Sequence, residues 1–306
     1  MSIRALDLLD LPTLHRYRNE VMGFDTARSL TRGNPLAGLG LLSHVVSPSR
    51  DVYGAIADQD GACLLGGVNH SHGASFARLL YLAPVSRLAH RELPALLENL
   101  ATEAGAWGAF HIVAEVNEDS EAFVCLREAD YSVYAWQRMW DVSALPSGLD
   151  GRGWERAASI HLPGIQSLYQ QIVPPLIQPV VPAPRFPTGL VCNAGENCYS
   201  GYISGARGIV LSPLIHPESL DVEAKLLGLV GGLSSRRDRK VYICVRSYQA
   251  WLENVLLDLG ASVGPRQALM VKHLARLVKD AQGVRAKQPA GVGVPASRAS
   301  RLDTKK

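Results

Sequence analysis

The most constraining feature of this 306-residue chain is an internal repeat. Residues 77–84 match residues 206–213 in the pattern Ala-Arg-x-x-x-Leu-small-Pro, and residues 130–140 match residues 260–270. Both matches occur at a spacing of about 130 residues, as an internal duplication produces. The sequence therefore predicts one fold used twice.

The length agrees with two domains, because a single hydrophobic core rarely serves as many as 306 residues. We predict an N-terminal domain over residues 1–145 and a C-terminal domain over residues 154–275, with a Pro-, Ser- and Gly-rich linker near residues 143–153. Six prolines within residues 174–187 exclude a helix there. The second domain is therefore expected to be shortened by one helix.

The basic residues concentrate at the C-terminus, although the net charge of the whole chain is only +3. Residues 275–306 contain eight Lys or Arg and two Asp, and residues 288–300 are rich in Pro, Gly, Ala and Ser. This composition predicts a disordered basic tail over residues 276–306. A basic tail can bind nucleic acid through counterion release. This one is dilute and lacks aromatic residues, so a solubilising role is favoured and nucleic acid is not an expected partner.

The composition predicts a cytoplasmic protein that does not cross a membrane. No apolar run approaches the roughly 18 residues that a spanning helix needs, and the acidic Asp7 interrupts the N-terminus before any signal-type apolar segment. The five cysteines are odd in number and lack Cys-x-x-Cys spacing, so we interpret them as buried free thiols. No spacing typical of a zinc site is present.

Hydrophobic periodicity and turn residues predict the same order of elements in both repeats. In the first repeat a helix begins near Asp10, three antiparallel strands follow, and then a helix, a strand, a helix and a closing strand. The predicted ranges after the first helix are 52–57, 63–69, 76–82, 92–105, 110–116, 120–129 and 133–140.

This order of elements resembles the fold of the GCN5-related N-acetyltransferase (GNAT) superfamily. Residues 214–218 resemble the Val-x-Pro end of the family's central strand, and residues 128–133 resemble its Lys-x-Gly-Phe turn. The resemblance covers both halves and implies an α/β protein of two tandem GNAT-like domains. Each would be a splayed, mostly antiparallel mixed sheet flanked by helices. In that family, acyl-coenzyme A (acyl-CoA) lies in the V-shaped gap between two central parallel strands, where its acyl carbonyl meets an amine.

The resemblance also implies cofactor-binding residues in the first repeat. The backbone groups of Leu82 and Ala83 would hold the pantetheine arm, and Arg87 with Arg91 would neutralise phosphate. Neither glycine of the family's phosphate loop is present after Arg87. The second repeat also lacks the glycines and has acidic residues near the matched helix start, so it is not expected to bind a nucleotide there.

Catalytic groups are sparse in both repeats. Leu126 and Leu256 stand where the family has its acid tyrosine, and the central strands contain no carboxylate. A general base must accept a proton from the amine. We therefore take Glu115, on the next strand, and His90 as candidate catalytic residues.

Two functions fit this sequence. The first is an acyl-CoA-dependent N-acyltransferase that uses acetyl-CoA or another acyl-CoA as substrate, needs no metal, and acts on an amine of a small molecule or protein. The alternative is a catalytically degenerate GNAT-like scaffold that binds a coenzyme A derivative or a protein partner. The missing glycines and tyrosines favour the alternative, while the acceptor and a homo-oligomeric state stay open.

Overall fold

The computed structural model describes residues 2–37, 52–59, 62–71, 73–145, 153–192, 197–233 and 238–274. The centre of the predicted linker and the predicted basic tail lie outside these residues. No helix of the described part is long and apolar enough to cross a bilayer.

The first repeat contains the predicted order of elements, with a second short helix before the three antiparallel strands. Its longest helix buries one leucine-rich face, as the sequence periodicity predicts, and a proline lies in its first turn. Its helices are α1 (Leu11–Arg16), α2 (Thr26–Arg32), α3 (Leu93–Ala106) and α4 (Glu121–Glu128). Its strands are β1 (Ser2–Ala5), β2 (Met22–Gly23), β3 (Val52–Gln59), β4 (Ala62–His70), β5 (Phe76–Ala83), β6 (His111–Asn117) and β7 (Ser132–Asp141).

The second repeat follows the same order without a counterpart of α2. Residues 173–189 form turns and bends there, as the proline density predicts. Its helices are α5 (Leu162–Ile172), α6 (Val222–Gly231) and α7 (Leu252–Asp258). Its strands are β8 (Trp154–Arg156), β9 (Leu190–Cys192), β10 (Cys198–Ser204), β11 (Gly208–Ile215), β12 (Lys240–Arg246) and β13 (Ser262–His273).

The two repeats share one sheet because they exchange their closing strands. The strand order is β1-β3-β4-β5-β6-β13-β7-β12-β11-β10-β9-β8, with β2 added beside β5. The last strand of the second repeat, β13, therefore lies between β6 and β7 of the first, and β7 pairs with β12 of the second. We expected residues 133–140 to close the sheet of the first repeat. This was wrong, because β13 takes the place beside β6 and β7 pairs with β13. Residues Met1–Ala275 accordingly form one compact unit.

The register of these strands shows an approximate two-fold axis at the centre of the sheet. Gln137 of β7 lies opposite Gln267 of β13, so the two matched glutamines of the repeat meet each other. Gln267 also lies opposite Asn117, and Gln137 lies opposite Arg246. The repeats are thus related by rotation about the glutamine pair.

The register of the parallel pairs, β5 with β6 and β11 with β12, corrects one sequence match. Phe76 lies opposite His111 in the first repeat, and Gly208 lies opposite Lys240 in the second. Phe76 and Gly208 are therefore structural counterparts, and the match between residues 77–84 and 206–213 is out of register by three residues. The match is a similarity of composition along two apolar strands.

Each repeat also covers the sheet of the other. Ala27 and Leu30 of α2 pack with Val210 and Cys244 of the second repeat. In the opposite direction, residues 169–180 pack against Val113 and against Leu269 and Val271 of β13. The other face of the sheet is covered by α3 and α4 in the first repeat and by α6 and α7 in the second.

The contact between α2 and the β10–β11 turn depends on Gly205. A methyl group added there would collide with the backbone carbonyl of Thr31, which cannot rotate away. We expect Gly205→Ala to lower the free energy of unfolding by about 1–3 kcal/mol through overpacking. Gly164→Ala is a suitable control, because its added methyl group meets nothing within 4 Å and lies in a helix. Urea unfolding of both variants tests this, and equal midpoints would contradict it.

Candidate functional site

The splayed gap predicted for the first repeat is present between β5 and β6. These parallel strands pair only at Phe76 with His111, Ala77 with Ile112 and Arg78 with Val113. Beyond Arg78 the two strands diverge, and the edge of β5 that faces the gap must find other hydrogen-bond partners.

Residues 20–24 supply those partners, and we call them the bridging segment. Met22 pairs with Leu82 and Gly23 pairs with Tyr81. The Phe24 amide donates to the Leu80 carbonyl at 3.0 Å, and the Phe24 carbonyl accepts from the Glu115 amide at 2.9 Å. The bridging segment therefore joins the two diverging strands through its own backbone.

The side chain of Phe24 fills the space behind this bridge. It is 1% exposed and belongs to the main buried cluster of the first repeat. That cluster also contains Leu93 and Leu97 of α3 and Leu126 of α4. The interior of the gap is thus packed with the chain's own residues.

The two residues predicted to hold pantetheine are engaged in the sheet. Leu82 has a strand neighbour on each edge, Gly66 of β4 and Met22 of the bridging segment. Ala83 pairs with Leu65. An extended ligand needs a strand edge with available donors and acceptors, and in this structure the bridging segment occupies that edge.

The predicted phosphate-binding residues lie in the loop between β5 and α3. Arg87 ends a short 3-10 turn, and Arg91 lies exposed just before α3. Arg87 Nη1 and His90 Nδ1 are buried without a hydrogen-bond partner among the described residues. Glu20 Oε2 accepts from the Ser86 hydroxyl at 3.1 Å, which places a carboxylate against the same loop.

Glu115, the predicted base, is the centre of a buried polar network. Its Oε2 atom accepts from the Thr26 amide at 2.9 Å and from Gln137 Nε2 at 3.0 Å, and its Oε1 atom lies 3.9 Å from Arg78 Nη1. The residue is 9% exposed. A carboxylate with these partners joins α2, β6 and β7.

The network continues across the two-fold axis. Gln137 Nε2 also donates to Gln267 Oε1 at 3.1 Å, and Gln267 Nε2 donates to Asn117 Oδ1 at 2.9 Å. Cys244, the counterpart of Glu115, donates to Gln137 Oε1 at 3.4 Å. Burial raises the pKa of Cys244 to about 11, which favours the protonated thiol at neutral pH.

The sequence analysis did not predict this network, although the sequence contained a signal for it. Gln137 and Gln267 stand at matched positions of the repeat, and paired polar residues on a two-fold axis can bond to each other. The bridging segment carried no comparable signal.

One further cation lies beside the network. Burial is the largest single effect on the pKa of Arg246, and it acts to lower that pKa. The net pKa is nevertheless raised, because the opposing electrostatic effects of four neighbours outweigh burial: Tyr248, Cys244, Tyr134 and Glu115. Arg246 therefore stays charged, and its Nη1 donates to the Tyr248 hydroxyl at 3.4 Å.

The gap of the second repeat is also spanned by the chain itself. Strands β11 and β12 pair as far as Leu211 and Ile243, and beyond them the buried Gln249 donates to the Ile215 carbonyl at 3.3 Å. Asp221 and Glu223 stand at the start of α6. Acids suit a helix N-terminus but repel phosphate, so this repeat is no better suited to a nucleotide.

A small cavity lies among described residues of β7, β13 and the start of α7. Its volume is about 180 Å³, below the roughly 300–1,000 Å³ typical of small-molecule sites. The Arg266 guanidinium lies 4.0 Å from the centre of the Trp136 ring, and Arg138 pairs with Glu253 at 3.4 Å. Its lining residues are Trp136, Gln137, Arg138, Ser247, Ala250, Glu253 and Arg266. The cavity is too small for coenzyme A.

Among the described residues, no group of three or more His, Cys, Asp or Glu side chains could hold a metal ion. Leu126 and Leu256, at the positions of the family's acid tyrosine, are fully buried core residues. The histidine candidate His90 lies half-buried in the loop before α3, and the structure does not bring it together with Glu115 in any described contact.

Comparison with known proteins places this geometry in a fold family. No family model matches the sequence, and no curated protein matches it. A GCN5-related N-acetyltransferase from Sphaerobacter thermophilus is similar in structure, with a TM-score of 0.56 at 12% identity over 89% of this chain and 95% of that chain. A tandem GNAT protein from the clavulanic acid biosynthesis pathway, solved without AcCoA, has a TM-score of 0.52 at 14% identity over 90% of this chain and 98% of that chain. The predicted GNAT fold is confirmed.

Proposed function

We propose that this chain is a non-catalytic protein of the GNAT fold, a scaffold in which the bridging segment occupies the cleft of the first repeat. The observation that carries this proposal is the pairing of residues 20–24 with Leu80 and Leu82. Leu80 and Leu82 lie on the edge of β5 where the fold is expected to hold acyl-CoA. The fit of an acyl-CoA to the residues present is therefore poor.

The energy of opening the cleft supports the proposal. Exposing the Phe24 side chain costs about 2 kcal/mol, and each of three backbone hydrogen bonds of the bridging segment contributes about 1 kcal/mol. A ligand that must displace the segment is therefore weakened by roughly 1,000-fold or more.

The chemistry of the site also supports it. Acyl transfer to an amine needs a base within reach of the substrate, and Glu115 is instead held by Thr26 and Gln137. Leucines replace the tyrosine that would protonate the thiolate. The partner of such a scaffold would be a protein or a coenzyme A derivative bound outside the closed gap.

A second candidate is the acyl-CoA-dependent N-acyltransferase that the fold resembles. Two buried nitrogen atoms favour it, Arg87 Nη1 and His90 Nδ1, which lack partners among the described residues. Buried donors of this kind are normally satisfied, and a phosphate oxygen could satisfy them. Acetyl-CoA or another acyl-CoA would then be the substrate, and the bridging segment would have to leave the gap.

Thiol release from acetyl-CoA in the presence of small-molecule and peptide amines separates the two candidates. The scaffold predicts that the full-length protein does not exceed the rate measured without protein, and that Glu115→Gln has the same rate. Turnover in the native protein that falls with Glu115→Gln would overturn the proposal.

A further inference from the structure

Two cysteines face each other across the hairpin at one end of the sheet. Strands β9 and β10 are antiparallel, with Tyr199 opposite Val191 and Ser200 opposite Leu190. The next position outward in this register places Cys198, the first residue of β10, opposite Cys192, the last residue of β9. Both are free thiols in this structure.

The two side chains lie on the same face of the hairpin. Cys192 is 7% exposed and Cys198 is 3% exposed, and both belong to the buried cluster under α6. The Sγ atom of Cys198 lies 3.7 Å from the Ser219 hydroxyl. Burial raises the pKa of Cys198, while the Ser219 hydroxyl and the charge of Lys225 act in the opposite direction.

Directly opposed residues of an antiparallel pair have the spacing that a disulfide needs. Their Cα atoms are about 4.5 Å or about 5.5 Å apart, depending on the type of pair, and disulfides span Cα distances of about 4.4–6.8 Å. Either type of pair therefore lies within the range.

We infer that Cys192 and Cys198 form a reversible modification site, closing to a cross-strand disulfide in the presence of a low-molecular-weight disulfide. One cysteine thiolate attacks a sulfur of the small disulfide and releases one small thiol. The second cysteine then attacks the mixed disulfide and releases the other. Two protein thiols are oxidised to one disulfide, and the small disulfide is reduced to two thiols.

The position of the hairpin gives the small disulfide access. Strand β9 has three residues, and its outer neighbour β8, also of three residues, ends the sheet. Short terminal strands open locally at lower free energy than the rest of a fold. Of the other cysteines, Cys63 of β4 lies opposite Asp58, Cys244 of β12 lies opposite Met139, and Cys125 lies on helix α4.

The test uses the full-length native protein incubated with oxidised glutathione, then denatured, alkylated and digested with trypsin. Both cysteines fall in one tryptic peptide, residues 186–207, because no Lys or Arg lies between Arg185 and Arg207. We expect this peptide to be unalkylated and lighter than the dithiol form by two hydrogen atoms, and dithiothreitol to reverse the change. The peptides containing Cys125 and Cys244 should be alkylated.

The Cys192→Ala variant is the matched control. Its remaining thiol at Cys198 should be alkylated or carry glutathione, and oxidation should raise the Tm of the native chain by a few degrees but not that of the variant. A doubly alkylated peptide from the oxidised native chain, or a disulfide to Cys63, Cys125 or Cys244, would overturn the inference.

Discussion

Ala268→Arg in the full-length chain is expected to destabilise the first repeat, although Ala268 belongs to the last strand of the second. Ala268 is 0% exposed and lies in the same buried cluster as α3 and α4. Strand exchange places it there, between β6 and β7. An unpaired guanidinium at this position should lower the free energy of unfolding by about 3–5 kcal/mol.

Hydrogen exchange followed by mass spectrometry tests this result, because it reports the two repeats separately. We expect protection to be lost first in α3 and β6 of the first repeat. Val263→Arg is the matched control. It places an arginine on the same strand, but at a position where the native side chain is 50% exposed. Loss of protection confined to α6 and α7 would contradict the strand exchange.

Phe24→Ala is expected to lower the free energy of unfolding by about 3–5 kcal/mol, the usual effect of removing a fully buried aromatic ring. The large effect follows from the position of Phe24 behind the bridge between β5 and β6. A residue on a mobile lid would give a much smaller change.

Urea unfolding measures this difference. Phe186→Ala is the control, because Phe186 is 71% exposed and its truncation should change stability by less than about 0.5 kcal/mol. Equal unfolding midpoints for the two variants would show that the ring of Phe24 does not fill the gap.

Local sequence pattern was enough to predict the order of helices and strands, but it did not predict the exchange of strands between the repeats. The leucines of α3 recur at helical spacing and are buried on one face, so the helix is visible in the sequence. By contrast, β7 and β13 have similar patterns, and either could be paired with β6. The difference lies in the core: if β7 took the place of β13, Arg138 and Trp140 would replace the fully buried Ala268 and Met270.

Only the groups that the candidate site lacks could be predicted from the sequence. Missing glycines in the phosphate loops and leucines at the tyrosine positions are local features of the sequence, and they favoured the catalytically degenerate scaffold. The bridging segment has no motif, because its role depends on where α1 and α2 place residues 20–24 in space. Glu115 was found as the nearest acid, but its partners Thr26 and Gln137 come from distant parts of the chain.

Calorimetric titration of acetyl-CoA and coenzyme A into the full-length protein, alongside Arg87→Glu, tests the central claim most directly. A cleft closed by residues 20–24 predicts no binding heat that depends on Arg87, so the native protein and the variant should give the same titration. Micromolar binding at one site that Arg87→Glu abolishes would place the cofactor in the first repeat and contradict the closed cleft.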